Sequence, residues 1–153
     1  MKRYTLCMIF VFVLFTSTVF AQEGRFGLGI IAGEPTGVSA KYWLSSNSAI
    51  DVVAAWSIDN GDSFQLHGDY LFHQLNLFEV ENQNFHLYYG VGGRFQLKDD
   101  NDTRFGIRIP VGLTYLFKKH PLDAFVEAAP IVNLAPKTDL GIDVGIGIRF
   151  YFN

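Results

Sequence analysis

Between Arg25 and Phe152, apolar residues recur at every second position in eight successive runs. A period of two places alternate side chains on opposite faces of an extended chain, whereas a helix needs a period near 3.6. The runs cover 25–33, 36–44, 49–58, 64–75, 84–97, 104–117, 122–134 and 140–152. In the last, Leu140, Ile142, Val144, Ile146, Ile148, Phe150 and Phe152 share one face, and Gly141, Asp143, Gly145, Gly147, Arg149 and Tyr151 the other. The sixth separates Phe105, Ile107, Ile109, Val111, Leu113, Tyr115 and Phe117 from Arg104, Gly106, Arg108, Pro110, Gly112 and Thr114. Turn formers such as Gly33-Glu34-Pro35-Thr36, Ser45-Ser46-Asn47, Asp59-Asn60-Gly61-Asp62 and Pro136-Lys137-Thr138-Asp139 lie between the runs. Connections this short join antiparallel neighbours, because parallel ones need a crossover of about a dozen residues. Eight such strands form an up-and-down meander that closes into a barrel. Pro110 and Pro130 each remove a ladder donor, so each predicts a bulge or local break.

The start of the chain follows a different plan. Lys2 and Arg3 precede an apolar run from Cys7 to Phe15, and Val19-Phe20-Ala21 ends it with small residues at the positions a signal peptidase reads. Residues 1–21 are expected to be a cleaved signal peptide, the apolar run being too short to span a bilayer. The mature barrel domain is then 22–153. Cys7 is the single cysteine and leaves with the signal, so no disulfide, thiolate metal site or cysteine nucleophile is expected in the mature chain. Of 12 basic residues Lys2 and Arg3 are also lost, which against 15 acidic ones leaves a net charge of about −5 and argues against nucleic acid as a partner.

Alternation alone does not say which face is outside, but side-chain size does. The polar face is rich in small residues, among them Gly27, Gly29, Ser39, Ala55, Gly90, Gly92, Gly106, Gly112, Ala129, Gly141, Gly145 and Gly147. Glycine in mid-strand costs conformational entropy and gives a solvated surface nothing in return. A narrow eight-stranded lumen has room for little else. The apolar face carries Phe26, Tyr42, Trp56, Phe64, Tyr70, Phe72, Phe85, Tyr89, Phe95, Phe105, Tyr115, Phe117, Phe150 and Phe152. So many rings cannot pack inside so small a barrel, and many lie near strand ends as an interfacial girdle would. The polar face also holds Lys41, Arg94, Arg108 and Arg149 against Asp51, Asp69, Glu127 and Asp143. Buried charges are tolerated only when paired, so equal numbers of each sign predict a lumen ionic network, which His67, His86, Gln65 and Tyr88 would extend. The expected fold is all-β, an eight-stranded antiparallel up-and-down transmembrane β-barrel.

With these features the chain resembles small bacterial outer-membrane β-barrel proteins of the size of OmpX or the barrel domain of OmpA. The resemblance covers the whole mature chain. The terminal Gly147-Ile148-Arg149-Phe150-Tyr151-Phe152 is similar to the signal read by the barrel-insertion machinery, and it implies that role for Gly147, Phe150 and Phe152. The implied location is the bacterial outer membrane, with lipid and that machinery as partners, no cofactor, and a non-enzymatic structural role in the envelope.

Other patterns have plainer explanations. Gly27, Gly29 and Ala32 with Asp51 downstream match a dinucleotide fingerprint, but that mechanism needs a helix starting at the glycines, and Glu34-Pro35-Thr36-Gly37 starts a turn. His67, Asp69 and His73 share a face, yet at ~3.4 Å per residue the two histidines lie about 20 Å apart, too far to share an ion without ligands such as His86 from another strand. Two function classes remain as alternatives. A lipid-modifying hydrolase or acyltransferase would draw on Ser39, Ser57, His67, His86, Asp69 or Glu127, of which no spacing selects a set. A soluble lipocalin-like carrier of a hydrophobic ligand would share the strand count but place large apolar residues inside.

Overall fold

A computed structural model describes residues 24–57, 63–74, 85–98 and 102–152. The expected signal peptide at 1–21 lies outside the described residues. The elements are all strands: β1 (Phe26–Glu34), β2 (Thr36–Trp43), β3 (Ser48–Ser57), β4 (Ser63–Gln74), β5 (Phe85–Lys98), β6 (Thr103–Arg108), β7 (Val111–Leu116), β8 (Leu122–Ala135) and β9 (Asp139–Phe152). Each pairs antiparallel with its neighbours, and β1 pairs β9 from Phe26↔Phe152 to Glu34↔Val144. The hydrogen-bonded sheet therefore closes on itself.

Nine segments replace the eight predicted runs because the sixth is interrupted. Both β6 and β7 pair with β5 and with β8, so together they form one stave of the barrel. The interruption is Ile109-Pro110. Gly90 N–H donates to the Pro110 carbonyl, and Ile109 N–H donates to the Pro130 carbonyl at 2.9 Å each. The backbone groups of Pro130 therefore face the same gap, and both missing donors fall at one break. Toward β9, β8 runs through Pro130 without interruption, with Pro130 opposite Ile142. A separate register shift lies at Phe105/Gly106.

Polar and small side chains point inward. Ser39, Lys41, Asp51, Gln65, His67, Asp69, Arg94, Arg108, Thr114, Glu127 and Arg149 are all buried, while the outward positions carry exposed aliphatic and aromatic side chains. None of the fourteen rings assigned to the apolar face is buried. The lumen is not wholly polar, however: Ile31, Val53, Ala55, Leu71, Tyr88 and Phe125 form a buried apolar cluster inside it. The glycines explain how these fit. Gly27 lies opposite Tyr151, Gly112 opposite Tyr88, Gly147 opposite Phe125 and Gly90 opposite Leu71. A Cβ on any of these four would run into the facing side chain. Each large inward residue thus occupies space that a glycine on the next strand leaves empty.

Candidate functional site

The lumen charges gather around two guanidinium groups. In the half of the barrel that carries the chain ends, Arg149 lies 2.7 Å from Asp51 and 3.4 Å from Asp123, and its Nε donates to Ser39 Oγ at 2.8 Å. The Ser39 hydroxyl donates in turn to Asp51 at 3.1 Å, and the Tyr151 hydroxyl to Asp123 at 2.5 Å. The guanidinium carbon sits 3.7 Å over the Phe125 ring. Every polar edge of Arg149 therefore has a partner, which is the condition for a charge to persist this far from water.

The second group centres on Arg108. It meets Asp69 at 2.9 Å and Asp143 at 3.0 Å, and it also donates to Glu127. The Asp69 contact is close but too bent for a hydrogen bond, so neither Asp69 oxygen has a hydrogen-bond partner among the described residues. Arg94 reaches Asp143 at 3.3 Å and the Asn133 amide oxygen at 2.7 Å. Gln65 donates to Asp143 at 2.8 Å, and the Tyr88 hydroxyl donates to Glu127 at 2.8 Å.

Lys41 belongs to neither group. It faces Asp51 across the β2–β3 ladder but forms no ion pair with it among the described residues. Its ammonium lies 2.9 Å from His73 Nε2 and 4.3 Å from the centre of the Trp43 ring, a cation–π arrangement. His86 is half-buried. Sequence reasoning missed Asp123 and Asn133, although their parity with Glu127 on β8 places them on the inward face. Their position near the strand ends hid them, because parity is easily lost beside a turn. Gly147 lies inside against Phe125, and Phe150 and Phe152 face outward with their rings edge to face.

His67, Asp69 and Glu127 place ligand atoms within 4.8 Å of one another. His73 is absent from that set, as its distance along β4 requires. The space is occupied by Arg108, which contacts all three residues, so a cation there would have to displace a guanidinium. The serines named for nucleophilic chemistry are engaged elsewhere. Ser39 bonds Asp51 and Arg149, and Ser57 bonds Glu34 at 2.8 Å. Among the described residues neither is hydrogen-bonded to a histidine. Among the described residues the inward face is mostly polar and the outward face apolar, the reverse of the polarity expected of a lipocalin-like carrier.

Among the described residues no helix is long and apolar enough to cross a membrane. No protein-family model matches the sequence. Comparison with curated proteins likewise gives no match. Among solved structures the chain is similar to the N-terminal β-barrel domain of Pseudomonas aeruginosa OprF, with a TM-score of 0.65 at 17% sequence identity. The match covers 83% of this chain and 96% of that domain. At that identity the likeness establishes the barrel fold.

Proposed function

We propose that the mature chain is an integral outer-membrane β-barrel with a non-enzymatic, structural role in the envelope and a lumen plugged by its own side chains. The observation that carries this reading is the polarity of the closed ring, with charged and small residues inside and an unbroken apolar belt outside. A ring whose first strand pairs its last from Phe26↔Phe152 to Glu34↔Val144 satisfies its backbone groups internally over that length, the condition hydrocarbon imposes on any spanning structure. In water the same belt would be an aggregation surface far beyond the few hundred Å² a soluble monomer exposes.

The interior contacts support the plug. Arg108 and Arg149 each cross-link several strands, with partners on β4, β8 and β9 for the first and on β2, β3 and β8 for the second. Removing either guanidinium would leave two or three buried carboxylates uncompensated, at a cost of ~3–5 kcal/mol. A lumen tied across in this way leaves no wide aqueous path. Lipid and, during biogenesis, the barrel-insertion machinery are the proposed partners, with Gly147, Phe150 and Phe152 as the insertion signal.

The test is electrophoresis of the outer-membrane fraction of cells expressing the protein, with and without boiling. A band in that fraction whose mobility shifts on heating is expected. A soluble periplasmic protein with unchanged mobility would contradict the reading.

A further inference from the structure

The ring is uneven at the end opposite the chain termini. Pairing between β1 and β9 stops at Glu34↔Val144, while β9 continues to Asp139 with β8 as its only partner among the described residues. Asp139–Asp143 thus presents a free backbone edge beside the β1–β2 turn. Its outward side chains, Leu140 and Ile142, are 83% and 63% exposed, among the most exposed large apolar residues of the barrel. A cavity of about 320 Å³ lies at this end, with Glu34 and Pro35 on one side of the gap and Leu140–Asp143 on the other among its lining residues.

Three cations line the cavity, Arg94, Lys98 and Arg104. Arg94 is buried, and its Nε has no hydrogen-bond partner among the described residues. Lys98 has no acidic partner among them. Arg104 holds only loose contacts, 3.6 Å to Asp102 and 3.9 Å to Asp139. Among the described residues each acid of the lining has a hydrogen-bond partner: Asp143 in Arg108, Arg94 and Gln65, Asp139 in Asn133 at 2.6 Å, and Glu34 in Ser57.

We propose that this cavity binds the phosphate headgroup of an anionic lipid, which enters sideways between β1 and β9 and leaves its acyl chains along Leu140 and Ile142. Arg94, Lys98 and Arg104 would supply charge-assisted hydrogen bonds to the phosphate. Headgroup oxygens would also cover part of the free β9 edge, which hydrocarbon alone cannot satisfy. The inference rests on the membrane reading above.

The experiment is native mass spectrometry of the mature protein folded in detergent and titrated with phosphatidic acid, with zwitterionic phosphatidylcholine, and with inorganic phosphate. One phosphatidic acid per barrel is expected, bound at least about tenfold more tightly than either control, a difference of ~1.4 kcal/mol. Lys98→Gln with Arg104→Gln, both at the rim, should weaken it by a similar factor while keeping the heat-shifted mobility. Lys98→Gln alone is the second variant, at a side chain that forms no ion pair among the described residues. Phosphatidic acid affinity unchanged in the variants would overturn the proposal, as would inorganic phosphate binding as tightly as the lipid. A barrel that shifts on heating but takes up no lipid sinks this inference alone. A protein that does not shift sinks the membrane reading beneath it.

Discussion

Asp69 leans its carboxylate over Gly92, the residue directly opposite it on β5. A Cβ at position 92 would overlap Asp69 Oδ1 and the Gly68 carbonyl, so the carboxylate would have to leave Arg108. Gly93 is the adjacent residue on the other face, and a Cβ there meets nothing within 4 Å. Gly92→Ala should therefore lower stability by ~1–3 kcal/mol, the usual cost of overpacking. Gly93→Ala should be neutral or stabilise by up to ~1 kcal/mol, because glycine carries an entropic penalty in a strand. Urea unfolding of both variants in the same lipid checks the contrast, and equal effects would contradict it. At this scale the sequence was legible as a preference for small inward residues, from Gly27 through Gly147. The partner each glycine accommodates was not, because register across eight interfaces decides whether Gly112 meets Tyr88 or a neighbour. The same limit applied to Lys41. Its parity announced a lumen position, but only the fold brings His73 and Trp43 to its ammonium ahead of Asp51.

Along the strands, alternation located every stave to within a residue or two, since period two is imposed on any chain with one face in each environment. What alternation does not carry is hydrogen bonding. It runs through Ile109, Pro110 and Val111 without a flaw, yet regular pairing stops there, where Pro110 lacks a donor toward Gly90 on β5 and Pro130 lacks one toward Ile109. The pair of prolines on adjacent staves was visible, and the coincidence of their breaks was a matter of register. Pro130 is exposed on the outer face, and its side chain is not packed in the lumen. Pro130→Ile restores an N–H aimed at the β6–β7 gap without disturbing the interior. The expected result is unchanged or higher stability, by up to ~1 kcal/mol for the recovered hydrogen bond. It should come with a protected, slowly exchanging amide at position 130. A fall in stability of more than that amount would show that the break is needed to close the barrel.

For the molecule as a whole, the central claim is that the face rich in aromatic and aliphatic residues contacts lipid and the charged face fills the lumen. Size asymmetry between the faces points this way from the sequence alone, because glycine is wasted on a solvated surface and large rings do not fit a narrow interior. Closure into a barrel was legible from the number and pattern of the strands, whereas the notch at Asp139–Asp143 depends on where pairing ends, which composition and parity do not encode. The two tryptophans report on the two faces. Trp56 is outward and 53% exposed, while Trp43 turns inward with its ring 4.4 Å from that of His73. The most direct measurement is fluorescence quenching by lipids brominated along the acyl chain, on the Trp43→Phe and Trp56→Phe variants folded into bilayers. Trp56, alone in the first variant, should be strongly quenched, and Trp43, alone in the second, only weakly. Strong quenching of Trp43 with Trp56 unaffected would mean that the faces are reversed.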